Sequence, residues 1–305
     1  MIYSLLKKWV QFTLFLSCKR ITLHNKELFL EDGPFLIGAH HPNSFFDAIL
    51  VGTYMKKPVH FLTRSDVFRN GFVRFILRQL QMIPVYRIRD GKDKLSLNES
   101  SFRQSRDALR KGNHVLIFVE GFCDHQTTLQ PLKKGAARIL SQSWAEGTDV
   151  QMMPFWIRYD SFTRFGKEID LMAGKPFGSS LLTGPSDNGT DLQLINKKTA
   201  EQLLELSNIK VSSAPKLART VMLLPFAVSG FLLHVPFYYL FHVTARKINA
   251  GSIHYDSLLY VFLSLFYPAW LLLLAYAGYC AGGWIAALLL LAASPVTARA
   301  YVLWK

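Results

Sequence analysis

The sequence contains two histidines followed closely by an acid, His40-His41-Pro42-Asn43-Ser44-Phe45-Phe46-Asp47. A histidine with a carboxylate in reach is a general-base arrangement. The carboxylate sets the tautomer and stabilises the imidazolium once the ring takes a proton. His41 and Asp47 lie too far apart in sequence to share one face of a straight helix. Pro42 disfavours helix at His41, so His41 can sit in a turn while Asp47 sits in the first turn of a helix, and the chain can bring the ring back to the acid. The same residues admit a second reading. Ser44 and Asp47 form S-x-x-D ahead of an apolar stretch, a capping pattern in which the histidines would be incidental.

Three further segments carry polar groups or shape a site. Phe118-Val119-Glu120-Gly121 ends an apolar run, and a carboxylate there lies where open α/β sheets place ligand groups. Leu132-Lys133-Lys134-Gly135 follows. Lys133 and Lys134 stand before a predicted helix whose free N–H groups would suit a phosphate, unless this is a plain solvated basic turn. Arg87 and Arg89 follow the run 82–86 and could grip a phosphate with paired hydrogen bonds, or simply mark an exposed strand end. Met152-Met153-Pro154-Phe155-Trp156-Ile157 has no catalytic group and reads as the wall of an apolar tunnel or as core.

The elements that must position these groups alternate. Apolar runs at 35–39, 59–63, 82–86, 114–119, 150–158 and 168–172 read as strands. Stretches 67–80, 99–111, 135–144 and 191–206 have helical spacing, and 178–190 is a loop. This pattern predicts an α/β domain with a central sheet flanked by helices. In 67–80, Arg69, Arg74 and Arg78 alternate with Phe72 and Phe75, a pattern suited to anionic headgroups. Residues 1–20 read as an amphipathic helix that lies on a membrane or packs on the core; they contain no A-x-A cleavage pattern.

Composition changes sharply near 212–216. Beyond it, 221–243 is apolar but interrupted by Pro225 and Pro236, while 257–280 and 282–296 hold no charge. About 20 mostly apolar residues span a bilayer. Lys216, Arg219, Arg246, Lys247, Arg299 and Lys305 flank these stretches. The positive-inside rule places all of them in the cytoplasm if 221–243 is a re-entrant or interfacial pair kinked at its prolines and 257–280 with 282–298 forms a transmembrane hairpin turning at AGYCAGG; the alternative, in which 221–243 is a third transmembrane span, would put Arg246 and Lys247 outside. The net charge of +14 draws the chain to phosphates in general. The basic residues are scattered and form no nucleic-acid motif. Three well-separated cysteines, Cys18, Cys123 and Cys280, imply neither a disulfide framework nor a zinc cluster.

Taken in order, the four segments resemble the glycerolipid acyltransferase family, which includes the PlsC-like lysophosphatidate and glycerol-3-phosphate acyltransferases. That family's first block is a His and an Asp separated by four residues; His41 and Asp47 are separated by five, as in a branch with one extra residue. Arg87, with Arg89 as rival, matches the arginine of the second block. Phe118, Glu120 and Gly121 match the third block, where Val119 replaces the usual proline and Phe122-Cys123 replaces Thr-Arg, leaving Lys133 to supply a phosphate contact. Pro154 matches the fourth. The resemblance covers about residues 34–158 and lowers the capping reading of His41 and Asp47 to a minor one.

The resemblance implies a PlsC-like domain with a central mixed sheet over 30–210, after an amphipathic segment at 1–29 and before a membrane region at 215–305. It implies transfer of a fatty acyl group from acyl-CoA or acyl carrier protein to lysophosphatidate, with glycerol 3-phosphate or another lysolipid or aminolipid as alternative acceptor. A catalytically inactive, membrane-anchored lipid-binding protein is the non-enzymatic alternative. His41 would be the base and Asp47 its partner. Arg87, Arg89 and Lys133 would hold the acceptor phosphate, and Glu120 and Gly121 would shape the acceptor site. Neither metal nor cofactor is implied. The catalytic domain would sit on the cytoplasmic face of the membrane.

Overall fold

The computed structural model describes residues 2–86, 96–182, 188–211, 217–249 and 252–305. Among the described residues, the strands β1 (Arg20–His24), β2 (Phe35–Ala39), β3 (Val59–Arg64), β4 (Met82–Val85), β5 (His114–Phe118), β6 (Gln151–Tyr159) and β7 (Glu168–Ala173) form one sheet of order β1-β7-β6-β2-β5-β3-β4. Neighbours are parallel except β6 and β7, so the sheet is mixed. Every residue of β2 is buried, as an uninterrupted apolar run in a parallel sheet requires. Alternate side chains serve opposite faces. Phe35, Ile37 and Ala39 join one core, while Leu36 joins the other.

The helices are α1 (Ile2–Ser17), α2 (Ser44–Tyr54), α3 (Gly71–Gln79), α4 (Asn98–Arg110), α5 (Gly135–Ala145), α6 (Asn188–Ser207), α7 (Leu217–Asn249) and α8 (Tyr255–Trp304). Leu14 of α1, Phe46 and Leu50 of α2 and Tyr260 of α8 fill the first core. Leu109 of α4, Leu140 of α5 and Leu203 of α6 fill the second. The fold is thus the expected α/β class, with a central sheet flanked by helices.

Two local differences have clear causes. Arg20–His24 is a strand, paired in parallel with β7, and brings residues ahead of position 30 into the sheet. It is short and holds Arg20, Thr22 and His24, so no apolar run marks it. The helix expected over 67–80 is divided. Asn70 accepts the N–H groups of Phe72 and Val73 and starts α3 afresh after a 3-10 turn at Ser65–Phe68.

The C-terminal helices are long and apolar enough to cross a membrane. Of the two forms expected for 221–243, a kinked re-entrant pair or a transmembrane span, α7 has the continuous helical form, with Pro225 and Pro236 inside it. Helical neighbours can compensate the backbone groups that a proline frees. In α8, Gly282 and Gly283 leave helical geometry, with Gly283 at φ 70°, a conformation that disfavours any side chain. A Cβ on Gly278 would lie 2.9 Å from the carbonyl oxygen of Ala286, so the chain doubles back there, in the expected AGYCAGG stretch. The side chains of Leu272, Trp284, Ile285, Leu288 and Leu289 face outward, more than half exposed. An outward apolar surface of this extent suits lipid.

Candidate active site

The site forms where chain crossings diverge. β2 leads into α2 on one face of the sheet, while β5 leads through α5 on the other, and the two strands are neighbours. Such a switch point opens a crevice beyond the strand ends. Ala39 and Phe118 are register partners, so the residues that follow each strand meet. The backbone N–H of His41 donates to Glu120 Oε2 at 2.9 Å, tying the two turns together.

The gap between His41 and Asp47 is spanned by a turn with Ser44 at φ 54°, in the left-handed region. That bend brings His41 Nδ1 to 2.9 Å from Asp47 Oδ2. Asp47 is fully buried, while the His41 side chain is 16% exposed. A buried carboxylate needs hydrogen bonds to be tolerated. Asp47 has three: Oδ2 also accepts the N–H of Asn43 at 2.8 Å, and Oδ1 accepts the hydroxyl of Tyr159 at 2.6 Å. With no proton on the carboxylate, Nδ1–H is the donor and Nε2 is left as the basic nitrogen. The His41 ring lies flat on Phe118, centroids 3.6 Å apart, which fixes its plane. Asp47 therefore holds the histidine ring and reaches back to the N–H of Asn43 at the start of α2, whereas the Ser44 of the S-x-x-D pattern makes no capping bond, its N–H going to Cys123 Sγ and its hydroxyl to His254.

His40 differs. It stacks on Trp156 at 3.9 Å and is almost wholly buried. Burial pushes its pKa down to about 4, so it stays neutral near pH 7. Glu120 is also buried, and burial raises its pKa. Both its oxygens are occupied, one by His41 N–H and the other by Gln130 N–H at 2.9 Å. Gly121 has φ 73°, and a Cβ there would meet Lys133 Cγ at 2.9 Å, so Lys133 stands directly over the turn. Lys133 is exposed. Cys123 Sγ accepts the N–H of Ser44, and burial pushes its thiol up to about 12, which removes it as a nucleophile at neutral pH.

Arg87 and Arg89 lie outside the described residues. The strand before them ends beside a polar cleft lined by Arg69, Arg74, Arg78, Tyr86 and Gln104. Sequence reasoning missed Tyr159 and Asn43. Tyr159 falls one residue beyond the expected strand, and Asn43 was read only as part of the turn. Sequence reasoning also missed the contribution of residues 254–257, which close on the turn from the start of α8.

Residues 20–158 match the family model described as Acyltransferase. Over this region, a little under half of its length, the chain is similar to the PlsC-like acyltransferases. A curated relative, the 1-acyl-sn-glycerol-3-phosphate acyltransferase of Bacillus subtilis (strain 168), is 27% identical over 120 residues, covering 39% of this chain and 55% of that protein. The chain thus spans little more than half the length of that relative. Among solved structures, the 1-acyl-sn-glycerophosphate (LPA) acyltransferase PlsC of Thermotoga maritima is similar at a TM-score of 0.49 and 16% identity, covering 69% of this chain and 81% of that one.

Proposed function

We propose that the chain is a membrane-bound O-acyltransferase of phospholipid synthesis that moves a fatty acyl group from acyl-CoA or acyl carrier protein to lysophosphatidate, giving phosphatidate. The observation that carries this reading is the His41–Asp47 pair, its carboxylate buried and triply hydrogen-bonded, its ring partly open to solvent at the switch point of the sheet. His41 Nε2 takes the proton of the acceptor hydroxyl as that oxygen adds to the thioester carbonyl. The tetrahedral intermediate then breaks its C–S bond, and the departing thiolate takes the proton back from His41. The products are an ester and a free thiol, with no acyl-enzyme. Asp47 stabilises the imidazolium between these steps. Arg87, Arg89 and Lys133 hold the acceptor phosphate, and Glu120 and Gly121 set the shape of the turn against which the acceptor lies. Arg246 and Lys247 at the end of α7, with Arg299 and Lys305 at the end of α8, support a cytoplasmic position for the catalytic domain.

The test is acyl transfer from labelled acyl-CoA and acyl carrier protein to lysophosphatidate, glycerol 3-phosphate and other lysolipids, with detergent-purified wild type beside His41→Ala. Loss of a general base lowers kcat by roughly 100- to 10,000-fold. Transfer that survives His41→Ala in folded protein would remove His41 as the base. The preferred acceptor names the step. A wild type inactive on every acceptor would favour the non-enzymatic alternative.

A further inference from the structure

The catalytic turn is gripped from outside the matched domain. Asn43 is wholly buried and is held by all of its polar ends but one. Its N–H goes to Asp47 Oδ2. Its side-chain Nδ2 donates to Asp256 Oδ2 at 2.7 Å. Its carbonyl accepts the hydroxyl of Ser257 at 3.2 Å, and the same Ser257 oxygen accepts the N–H of Phe46 at 3.1 Å. Two residues before Asp256, His254 Nδ1 meets Ser44 Oγ at 2.5 Å. Asp256 and Ser257 belong to the first turn of α8, the helix that goes on to form the apolar hairpin.

Asp256 is in turn fixed by Lys167, whose ammonium lies 2.5 Å from Oδ1. Both side chains are under 10% exposed. Lys167 Nζ also donates to the carbonyl of Phe162 at 2.9 Å and lies 5.8 Å from the ring of Tyr159, the residue that hydrogen-bonds Asp47. An acid in the first turn of a helix can serve the helix dipole alone. That role needs neither burial nor a partner in a turn more than 200 residues away in the chain. A buried ion pair is a poor source of stability, and one use for it is to fix a geometry.

We propose that Asp256, held by Lys167, is a positioning residue of the acyl-transfer site. By fixing Asn43 it sets the His41–Asp47 geometry, so the start of the membrane hairpin completes the site as well as anchoring the chain. This rests on His41 being the base of the proposed transfer.

The test uses full-length protein in detergent and compares two double variants in which Lys167→Met neutralises the cation. Lys167→Met with Asp256→Asn keeps an acceptor for the Asn43 amide. Lys167→Met with Asp256→Leu removes it and leaves the pocket uncharged. The expected result is near-wild-type kcat for the first and a fall of roughly 100-fold for the second, with KM for donor and acceptor unchanged in both, since a misplacement of about 1 Å at a catalytic group costs that much. Asn43→Ala, in which the ion pair stays intact, is expected to lose kcat like the Leu double variant, so the outcome does not hang on one fold. Equal kcat for both double variants, or an unaltered kcat in folded Asn43→Ala, overturns the inference and leaves the acyltransferase reading standing. A wild type without transfer, or transfer that survives His41→Ala, overturns the reading itself and the inference with it.

Discussion

At the scale of single residues, the site depends on what burial does to each titratable group. His40 and His41 are adjacent in sequence and opposite in fate. His40 lies against Trp156 with its pKa depressed, and His41 lies on Phe118 with Nδ1 on a carboxylate. Sequence alone could rank them only by spacing to Asp47. His114 shows the same physics away from the site. Its Nδ1 accepts the N–H of Phe35 at 3.3 Å, and burial lowers its pKa to about 4. In the unfolded chain a histidine titrates near 6.5. Between about 6.5 and 4 the unfolded chain therefore binds more protons than the folded one. The stability linked to His114 is complete above about pH 6.5 and is lost as pH falls towards 4. His114→Asn preserves an acceptor but does not titrate, so the apparent Tm of this variant in detergent should fall less steeply over that range. An unchanged slope would mean that His114 is protonated in the fold.

At the scale of elements, α3 stands apart. None of its residues is buried, and Phe72 and Phe75 are 73% and 61% exposed. Arg74 folds back on the carbonyls of Phe68 and Arg69, while Arg69 and Arg78 line the polar cleft with it. A short amphipathic helix with this composition fits an anionic headgroup layer, the aromatic rings dipping below the phosphates. For full-length protein in mixed micelles, activation by anionic lipid should weaken when Phe72→Ser and Phe75→Ser are combined, and weaken again with Arg78→Gln. A response identical to wild type would count against a membrane-facing α3. The strands and most helices follow the expected boundaries closely because their apolar periodicity is strong. The exceptions, β1 and the break before α3, were set by pairing with β7 and by one asparagine side chain, neither of which leaves a periodic trace.

At the scale of the whole molecule, an apolar hairpin and a basic α/β domain are joined at the candidate active site. The hairpin's outward face accounts for the chain's high mean hydropathy, and its root carries the residues that hold Asn43. Leu288 lies on the outward face, 63% exposed. Leu288→Arg should reduce the fraction of protein that resists alkaline extraction from membranes, because a charge at the centre of a spanning helix costs about 2.5–3.5 kcal/mol on insertion scales. Unaltered retention would place that face against protein or water instead of lipid.

What the sequence determined by itself was local. Apolar periodicity specified the α/β class. Long uncharged runs marked the C-terminal helices, and a glycine pair marked their turn. Four short motifs pointed to His41, Asp47, Glu120, Gly121 and Lys133. These signals are legible because each depends on residues close together in the chain. The tertiary structure alone decided that Tyr159 completes the carboxylate's hydrogen bonds and that Lys167 and Asp256 close on the catalytic turn. The Tyr159–Asp47, Lys167–Asp256 and Asn43–Asp256 contacts join residues tens to hundreds of positions apart. A hydrogen bond or ion pair across such a distance imposes no pattern on a single sequence, because it acts only once the sheet order and the packing of α8 have brought the partners together.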